Sequence, residues 1–324
     1  MARYSFGNSL PTWNGIPMVG SFPQGLTEVF FVKSDGSDGV NTKANSIDRP
    51  FATIDKALDV VTTNKNQGIA LIGNGTHTLT EMLNVSKSRV HIFGFDPGGR
   101  TYGQNAKVSL GVTTAATDIG TIQNTGIRNS FSNIKIINNN TVAEGIYCFV
   151  EAGEYTVIDH CEIYKSTDMD VTGAAELVMN GDSAQVLNST IGSLATARSG
   201  AVIRPNVLMT KGIVSGKVAR DVKFANCDFW INASDTANRF IYGANATDVE
   251  RIMKIEHSAF INNGASSATP AQNVAFGSSL TVGSVLINRC TSANADTAMS
   301  TTTGVFVDGA APAAATSGIS VQAS

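Results

Sequence analysis

Acidic and basic side chains that could carry out catalysis occur in two short stretches of this 324-residue chain. Asp168 and Asp170 lie in "STDMDV", and Arg198 and Arg204 lie in "RSGAVIRPN". Cleavage of a sugar chain needs either two carboxyl groups or a cluster of acids that holds a cation beside an arginine or lysine base. The two arginines are candidates for that base. The remaining acids near predicted bends are Asp159, Glu162, Asp228 and Glu256.

Other chemically active residues have simpler explanations. "SDGSDG", Ser34 to Gly39, offers Asp35 and Asp38 to a cation, but its glycine spacing fits an ordinary turn better than a calcium loop. The cysteines have no CxxC motif and no nearby histidine pair, so a metal site is not predicted. His77 and His91 have no acid or nucleophile at a recognisable spacing.

The elements that would position these side chains come from a nine-residue pattern. Its six copies are "RNSFSNIKI" from Arg128, "YTVIDHCEI" from Tyr155, "AQVLNSTIG" from Ala184, "DVKFANCDF" from Asp221, "IMKIEHSAF" from Ile252 and "SVLINRCTS" from Ser284. The fourth position is apolar: Phe131, Ile158, Leu187, Phe224, Ile255 and Ile287. The sixth is polar: Asn133, His160, Ser189, Asn226, His257 and Arg289. The seventh is mostly small: Ile134, Cys161, Thr190, Cys227, Ser258 and Cys290.

This pattern predicts a stacked solenoid. The copies recur every ~30 residues with variable excess, which indicates insertions into loops on one face. Each copy alternates like a strand, breaks at a polar residue that favours a bend, and alternates again. The intervening segments show no helical period, so we predict a single-stranded right-handed parallel β-helix, an all-β fold. Cys161, Cys227 and Cys290 then form one inward column of reduced thiols, and Cys148 is a further core residue.

The stacking also tests the candidate acids. The eighth position of the copies reads Lys135, Glu162, Ile191, Asp228, Ala259 and Thr291. Catalysis on this scaffold would need acids on adjacent coils, and this column has none stacked. His160 and His257 share the bend column with asparagine, which indicates a backbone role. We therefore expect no catalytic, cofactor-binding or metal-binding residues. Trp230, predicted to point outward, is the best candidate for an exposed contact.

The sequence resembles the pectate-lyase-like β-helix proteins. The resemblance rests on the repeated pattern and on the segment "FFVKSDGSDGV" to "DRPFATIDKAL", Phe30 to Leu58, followed by "GIALIGNGTHTL" and "VHIFGF". It implies a first coil with a short N-terminal capping helix, and it covers roughly the chain from Phe30 to Asp296. Because this fold carries lyases, hydrolases, adhesins and phage spike and capsid proteins, the resemblance does not define an activity.

The capping helix is also predicted from the residues themselves. Phe51, Ile54, Ala57, Leu58 and Val61 repeat at intervals of three and four, and Pro50 stands where a first turn would begin. We predict three regions: an extended arm at 1–25, a β-helix domain at 26–308 whose first coil and capping helix occupy 26–95, and a small-residue tail at 309–324.

Composition excludes two kinds of partner. Charged residues make up only 15% of the chain and the formal net charge is -3, so nucleic acid is not an expected partner. No apolar run is long enough for a transmembrane helix, and the start "MARYSFGNSLPTW" lacks the layout of a secretory signal. These features favour assembly in a host cytoplasm and a place in a virion.

The resulting hypothesis is a non-enzymatic phage virion protein, a capsid decoration or cement protein. It would be a homotrimer whose N-terminal arm grips the major capsid protein or another virion protein. Two alternatives stay open. One is a spike, fibre or adhesin that binds surface glycan, and the other is a polysaccharide lyase or hydrolase such as a depolymerising tail spike.

Overall fold

Short alternating runs form strands along nearly all of the chain that the structure describes. The structure is a computed structural model that describes residues 12–13, 16–17, 25–39, 46–95, 105–111, 119–140, 145–167, 171–198, 201–233, 235–264, 270, 272–294, 299–308 and 318–319. Within these residues no helix has the length and apolar character needed to cross a lipid bilayer.

The elements of the first half, in chain order, are β1 (Thr12–Trp13), β2 (Ile16–Pro17), β3 (Glu28–Val32), α1 (Ile54–Val60), β4 (Gln67–Leu71), β5 (Thr76–Leu79), β6 (Leu83–Val85), β7 (Val90–Gly94), β8 (Ala106–Leu110), β9 (Gly120–Asn124), β10 (Ser130–Ser132), β11 (Ile134–Asn138), β12 (Tyr147–Glu151), β13 (Val157–Asp159) and β14 (Glu162–Lys165). Those of the second half are β15 (Ala175–Met179), β16 (Gln185–Leu187), β17 (Thr190–Arg198), β18 (Pro205–Met209), β19 (Val222–Ala225), β20 (Asp228–Ala233), β21 (Arg239–Gly243), β22 (Ile252–Glu256), β23 (Ala259–Asn262), β24 (Val274–Phe276), β25 (Ser284–Asn288), β26 (Thr291–Ala293), β27 (Val305–Asp308) and β28 (Gly318–Ile319).

Apart from β1 and β2, which pair with each other antiparallel, the strands form three parallel sheets wound as one solenoid, as predicted. Sheet 1 has the order β28-β27-β25-β22-β19-β16-β13-β10-β7-β4-β3. Sheet 2 has the order β26-β23-β20-β17-β14-β11-β8-β5, and sheet 3 the order β24-β21-β18-β15-β12-β9-β6. Each complete coil therefore adds one strand to each sheet, and the inward side chains of successive coils stack into one continuous apolar core.

One inward column of sheet 1 shows why the pattern repeats. In register along the sheet lie Phe131, Ile158, Val186, Phe224, Ile255 and Ile287. All six are buried. Parallel pairing puts equivalent residues of neighbouring coils side by side, so an apolar residue at one position repeats as an apolar column.

The predicted bend column turns the chain from sheet 1 into sheet 2. Its members adopt the left-handed conformation, with φ of 55° at Asn133, 52° at His160, 47° at Asn188, 54° at Asn226, 50° at His257 and 50° at Arg289. Asparagine tolerates this conformation better than most residues because its short polar side chain bonds locally. The bend role predicted for His160 and His257 is confirmed.

The sequence pattern places its third copy, from Ala184, one residue too late. Val186, not Leu187, lies in the apolar column, and Asn188, not Ser189, makes the bend. Ser183, with φ of 55°, is the left-handed residue that precedes the strand. Arg128 and Tyr155 have this role in the two preceding coils. A shift by one residue would turn the inward face of β16 outward, so the need to bury Val186 decides the register.

The corrected seventh column alternates between cysteine and serine after its first member. It reads Ile134, Cys161, Ser189, Cys227, Ser258 and Cys290. Ser189 Oγ accepts a hydrogen bond from the Cys161 backbone N–H at 3.0 Å, and Ser258 Oγ accepts one from the Cys227 N–H at 3.1 Å. The four cysteines are free. The thiols of the column lie within hydrogen-bonding distance of backbone carbonyls of the preceding coil. Cys227 Sγ, for example, lies 3.3 Å from the Val186 carbonyl oxygen.

The predicted helix is present as α1. Thr53 caps its start by accepting a hydrogen bond from the Lys56 N–H at 3.2 Å, and Ile54, Ala57 and Leu58 are buried against the first strands. The segments 1–25 and 309–324 lie mainly outside the described residues. Their assignment as arm and tail stays a prediction.

Candidate active site

Four charged side chains meet at the corner where sheet 2 turns into sheet 3. Lys165 ends β14, Glu176 lies in β15, Arg198 ends β17, and Arg204 directly precedes β18. We call this set the corner cluster. Its members are only 6%, 5%, 7% and 3% exposed, in that order. Buried charged groups are uncommon in a core that is otherwise mainly apolar, so the cluster is the first place to look for chemistry.

The cluster is centred on one ion pair in which a single guanidinium nitrogen contacts both carboxylate oxygens. Arg198 Nη2 lies 2.7 Å from both carboxylate oxygens of Glu176. The Nη1 atom of the same guanidinium donates to the backbone carbonyl of Arg204 at 2.5 Å. Charge-assisted bonds of this kind are the stronger hydrogen bonds in proteins, so Arg198 ties β15 to the start of β18.

A bulge in β17 delivers Arg198 to this position. The register between β17 and β20 shifts between Gly192 and Ala197. Gly192 has φ of 101°, and a Cβ atom there would come within 2.0 Å of the Trp230 carbonyl oxygen and of Asn206 Nδ2. Only glycine fits this approach, and the extra residues of the bulge redirect the end of the strand inward.

Lys165 is a buried amine whose hydrogen bond goes to the backbone. Its Nζ donates to the Gly145 carbonyl at 3.0 Å. Burial lowers the pKa of Lys165, and the carboxylate of Glu176 acts in the opposite direction. The Cys148 thiol itself stays protonated because burial raises its pKa. A lysine of lowered pKa provides a neutral amine more readily than an exposed one.

The cluster surrounds a small void with a hydroxyl rim. The void measures about 20 Å³ and is lined in part by Thr167, Ser193 and Thr196. That volume holds roughly one water molecule. Below it, Asn206 Nδ2 donates to the Trp230 carbonyl at 2.9 Å and lies 3.4 Å from Glu176 Oε2. The void therefore admits a group of about the size of a hydroxyl in place of water, and a sugar carboxylate and ring would remain at the rim.

The structure brings together part of the predicted residue set. Arg198 and Arg204, the candidate bases, do meet in the cluster. Asp168 and Asp170 lie outside the described residues. Sequence reasoning missed Lys165 and Glu176. The alternation of β14 could have indicated Lys165, because Ile163 and Lys165 both face inward in that strand.

The other candidate acids hold protein partners at the surface. Glu162 pairs with Lys135 at 2.9 Å and Glu256 pairs with Lys223 at 2.7 Å. Asp159 lies 2.9 Å from His160 Nδ1. Asp228 lies in β20, in register with Thr190 and Ala259. Asp159 and Glu162 share a coil, and along each sheet non-acidic residues separate the acids of different coils.

The "SDGSDG" turn uses its carboxylates for structure. Asp38 accepts hydrogen bonds from the Ala52 N–H at 2.8 Å and the Thr53 hydroxyl at 2.7 Å, and Asp35 pairs with Lys33 at 3.0 Å. Over the described ranges, no group of three or more His, Cys, Asp or Glu side chains is arranged to hold a metal ion. Trp230 alternates outward in β20 as predicted and is half-buried.

A second buried carboxylate lies at the end of β12, an interior strand of sheet 3. Glu151 is fully buried and accepts hydrogen bonds from the Gly153 N–H at 2.8 Å and from Asn124 Nδ2 at 2.9 Å. Asn124 is itself fixed by Asn129, whose Nδ2 donates to it at 2.8 Å. Burial raises the pKa of Glu151 to about 7, although these hydrogen bonds lower it. These hydrogen bonds link residues of adjacent coils, and each donor named here bonds to a protein acceptor.

Comparisons with known proteins relate the chain to solved structures. No protein-family model matches it, and no curated protein matches its sequence. The fold is similar to that of pectate lyase Pel9A, with a TM-score of 0.59 and 16% identity over 88% of this chain and 69% of that one. It is also similar to a pectin methylesterase from Aspergillus niger, with a TM-score of 0.55 and 15% identity over 94% and 93% of the two chains. A rhamnogalacturonan lyase gives a TM-score of 0.53 at 13% identity over 82% and 74%.

These similarities correct one expectation and confirm another. The expectation of a non-enzymatic protein is wrong on this comparison, because the similar structures are polysaccharide-modifying enzymes. None of them is a capsid protein, so the capsid-decoration role gains no support. At identities of 16% and below, the likeness itself shows the fold. The chain has the right-handed parallel β-helix fold of pectate lyases and pectin methylesterases, as its sequence pattern predicts.

Proposed function

We propose that this protein modifies an acidic polysaccharide and that the corner cluster is its reacting site. The observation that carries the proposal is the burial of Lys165, Glu176, Arg198 and Arg204 at one corner of a mainly apolar solenoid. Removing such charges from water costs several kcal/mol per ion, and apolar side chains of similar volume commonly stabilise a fold as well or better. A set of buried charges therefore calls for a functional reason.

The composition of the cluster favours elimination over hydrolysis. Hydrolysis of a glycosidic bond uses two carboxyl groups on opposite sides of the bond. The described residues of this corner supply one carboxylate, Glu176, and that carboxylate is bonded to Arg198. Elimination instead needs a base and positive charge beside a uronate, and lysine and arginine provide both.

The proposed step starts from a uronate that lies at the rim of the void with its carboxylate directed towards Arg204. Neutral Lys165 takes the proton from the carbon next to that carboxylate. The electron pair of the broken C–H bond forms a double bond to the neighbouring carbon, the bond from that carbon to the glycosidic oxygen breaks, and the oxygen leaves with a proton from solvent. Positive charge near the carboxylate stabilises the carbanionic transition state.

The test uses the full-length chain and a panel of acidic polysaccharides: polygalacturonate, alginate and hyaluronan. Elimination gives an unsaturated uronate that absorbs ultraviolet light, whereas hydrolysis gives new reducing ends without that absorbance. We expect elimination with at least one substrate and a loss of at least ~100-fold in Lys165→Met, in line with the usual contribution of a general base. Lys135→Met is the matched control, because Lys135 pairs with Glu162 on the outer face of sheet 2.

Two results would refute this assignment. Full activity in a folded Lys165→Met variant would remove Lys165 from the reaction. Reducing ends without unsaturated product would replace elimination by hydrolysis. Thermal unfolding of each variant separates a loss of chemistry from a loss of fold.

A further inference from the structure

We propose that the link between Asn74 and Gly75 is a site of spontaneous covalent modification, at which Asn74 loses its side-chain amide as ammonia. An asparagine followed by glycine is especially prone to this reaction, because glycine has no side chain to shield its backbone nitrogen. The chain has four such pairs, and three of them belong to the described residues: Asn74–Gly75, Asn180–Gly181 and Asn263–Gly264. Their surroundings differ, and these surroundings select the first pair. The inference does not depend on the proposed function.

Asn74 lies exposed in the turn between β4 and β5. Glycines flank it on both sides, and Gly73 has φ of 80°, so the backbone can bend there in ways that other residues rarely adopt. Among the described residues, neither the Asn74 side chain nor the Gly75 N–H has a hydrogen-bond partner. The ladder bond nearest to the turn on the β4 side runs from the Ile72 N–H to the Val32 carbonyl, at 2.9 Å. The Asn74 side chain can therefore rotate towards the next backbone nitrogen without breaking a bond.

The reaction needs water and no other reactant. The backbone nitrogen of Gly75 gives its proton to hydroxide or to a buffer base and attacks Cγ of Asn74. The C–N bond of the side-chain amide breaks, the leaving nitrogen takes a proton from solvent and departs as ammonia, and a succinimide ring remains. Water then opens the ring. Opening at the Cγ carbonyl gives aspartate, and opening at the main-chain carbonyl gives isoaspartate, in which the backbone runs through the former side chain.

Asn180 is held where this attack is blocked. Its side chain is fully buried. Its Nδ2 donates to the Thr210 carbonyl at 2.9 Å and to the Lys217 carbonyl at 2.8 Å. Its Oδ1 accepts from the Val214 N–H at 2.7 Å. All three hydrogen bonds must break before Cγ can meet the next backbone nitrogen, so this pair reacts only when the region opens locally.

Asn263 is exposed, but the glycine that follows it is fixed. The Gly264 N–H donates to Asn262 Oδ1 at 2.9 Å, and the Asn263 N–H donates to the Ile231 carbonyl at 2.8 Å. A Cβ atom on Gly264 would come within 1.7 Å of the Ala233 carbonyl oxygen, so the backbone here packs closely against the preceding coil. Attack would require both bonds and this packing to give way. Exposure alone therefore does not select the site.

The modification changes the surface charge of the first coil. Either product adds one carboxylate to a turn that Lys33 flanks, because a Cβ atom on Gly73 would lie 3.6 Å from Lys33 Cε. The additional backbone atom of isoaspartate falls between β4 and β5, outside both strands. The register of the two strands is therefore expected to stay unchanged.

The test follows each pair separately in the folded, full-length chain. The protein is incubated in warm, mildly alkaline buffer, and conversion is measured by mass spectrometry of tryptic peptides with fragmentation. Asn74 lies in the peptide from Asn66 to Lys87. We expect Asn74 to be converted at least ~10-fold faster than Asn180 or Asn263, because those two pairs depend on local opening. In guanidinium chloride the three pairs are expected to react at similar rates.

Variants localise the reaction. Asn74→Gln should abolish conversion of its tryptic peptide, whereas Asn263→Gln, the matched control, should leave it unchanged. Conversion that persists in the Asn74→Gln peptide would overturn the inference, and so would equal rates at the three pairs in the folded chain. An advantage of Asn74 that stays the same in guanidinium chloride would also overturn it, because the folded structure would then have no part in the selection. None of these outcomes depends on cleavage of a polysaccharide.

Discussion

Arg198 Nη2 lies 2.7 Å from each carboxylate oxygen of Glu176, and both side chains are buried inside the solenoid. The two residues belong to successive coils, and the bulge after Gly192 makes their contact possible. This pair determines how the corner cluster is held together. Its contribution to the free energy of unfolding can be measured without any substrate.

We expect Glu176→Met to destabilise the protein by about 3 to 5 kcal/mol, because it leaves the Arg198 charge buried without its counter-charge. The double variant Glu176→Met with Arg198→Met is expected to recover at least half of that loss, since no charge of the pair then remains in the core. Urea unfolding followed by circular dichroism measures both. A single variant as stable as the unmodified chain would contradict this account of the pair.

His77 and His91 are expected to respond oppositely to the same substitution. Among the described residues neither buried ring nitrogen of His77 has a hydrogen-bond partner, whereas His91 bonds to Ser130 Oγ at 2.7 Å and to Asn66 Oδ1 at 2.8 Å. Replacing an unsatisfied buried polar group by an apolar one is favourable, and removing a satisfied one is not. His77→Leu should stabilise the protein by about 1 to 2 kcal/mol, and His91→Leu should destabilise it by a similar amount. Thermal unfolding at neutral pH tests both signs.

His77 should also make the protein sensitive to acid. Burial lowers the pKa of His77 to about 4 from its ordinary value of 6.5. Between these two values the unfolded chain binds the proton and the folded chain does not, so stability falls as the pH falls from 6.5 towards 4. The difference in unfolding free energy between His77→Leu and the unmodified chain should therefore grow over this interval. A constant difference would contradict the assignment.

Glu151 should produce the opposite pH dependence. Its pKa is raised from 4.5 to about 7 by burial, so between these values the folded chain binds the proton and the unfolded chain does not. The contribution of Glu151 to the free energy of unfolding is fully present below pH 4.5. It falls by roughly 3 kcal/mol in total as the pH rises through 7. Glu151→Gln cannot ionise and keeps an oxygen for the Gly153 N–H. Its stability relative to the unmodified chain should rise from pH 4.5 to 8, and a flat difference would refute this role.

The bend column should tolerate glycine and reject β-branched residues. Asn226 has φ of 54°, and its backbone N–H donates to the Glu256 carbonyl of the next coil at 3.0 Å. A β-branched side chain in this left-handed conformation costs roughly 1 to 2 kcal/mol, and glycine has no such penalty. We expect Asn226→Val to lower the urea midpoint measurably and Asn226→Gly to leave it close to the original value. Equal losses in both variants would indicate that the asparagine side chain itself, and not the backbone angle, is important.

The fold followed from local features of the sequence. Apolar alternation around Phe131 and Phe224, with a polar bend residue two positions later, predicts two short strands joined by a turn, and its recurrence predicts stacked coils. These preferences depend on neighbouring residues in the chain, so a sequence pattern records them. The capping helix is predicted for the same reason, because Ile54, Ala57 and Leu58 share one helical face.

The tertiary structure decided two things that local pattern does not contain. It placed Val186 and not Leu187 in the apolar column, because the register of β16 depends on burial against β13 and β19. It also brought Lys165, Glu176 and Arg198 together, although they lie far apart in the sequence. Their meeting depends on which residues become neighbours after stacking and on how many residues the bulge in β17 absorbs. Alternation tells which way a side chain faces, and only the assembled coils decide what it faces.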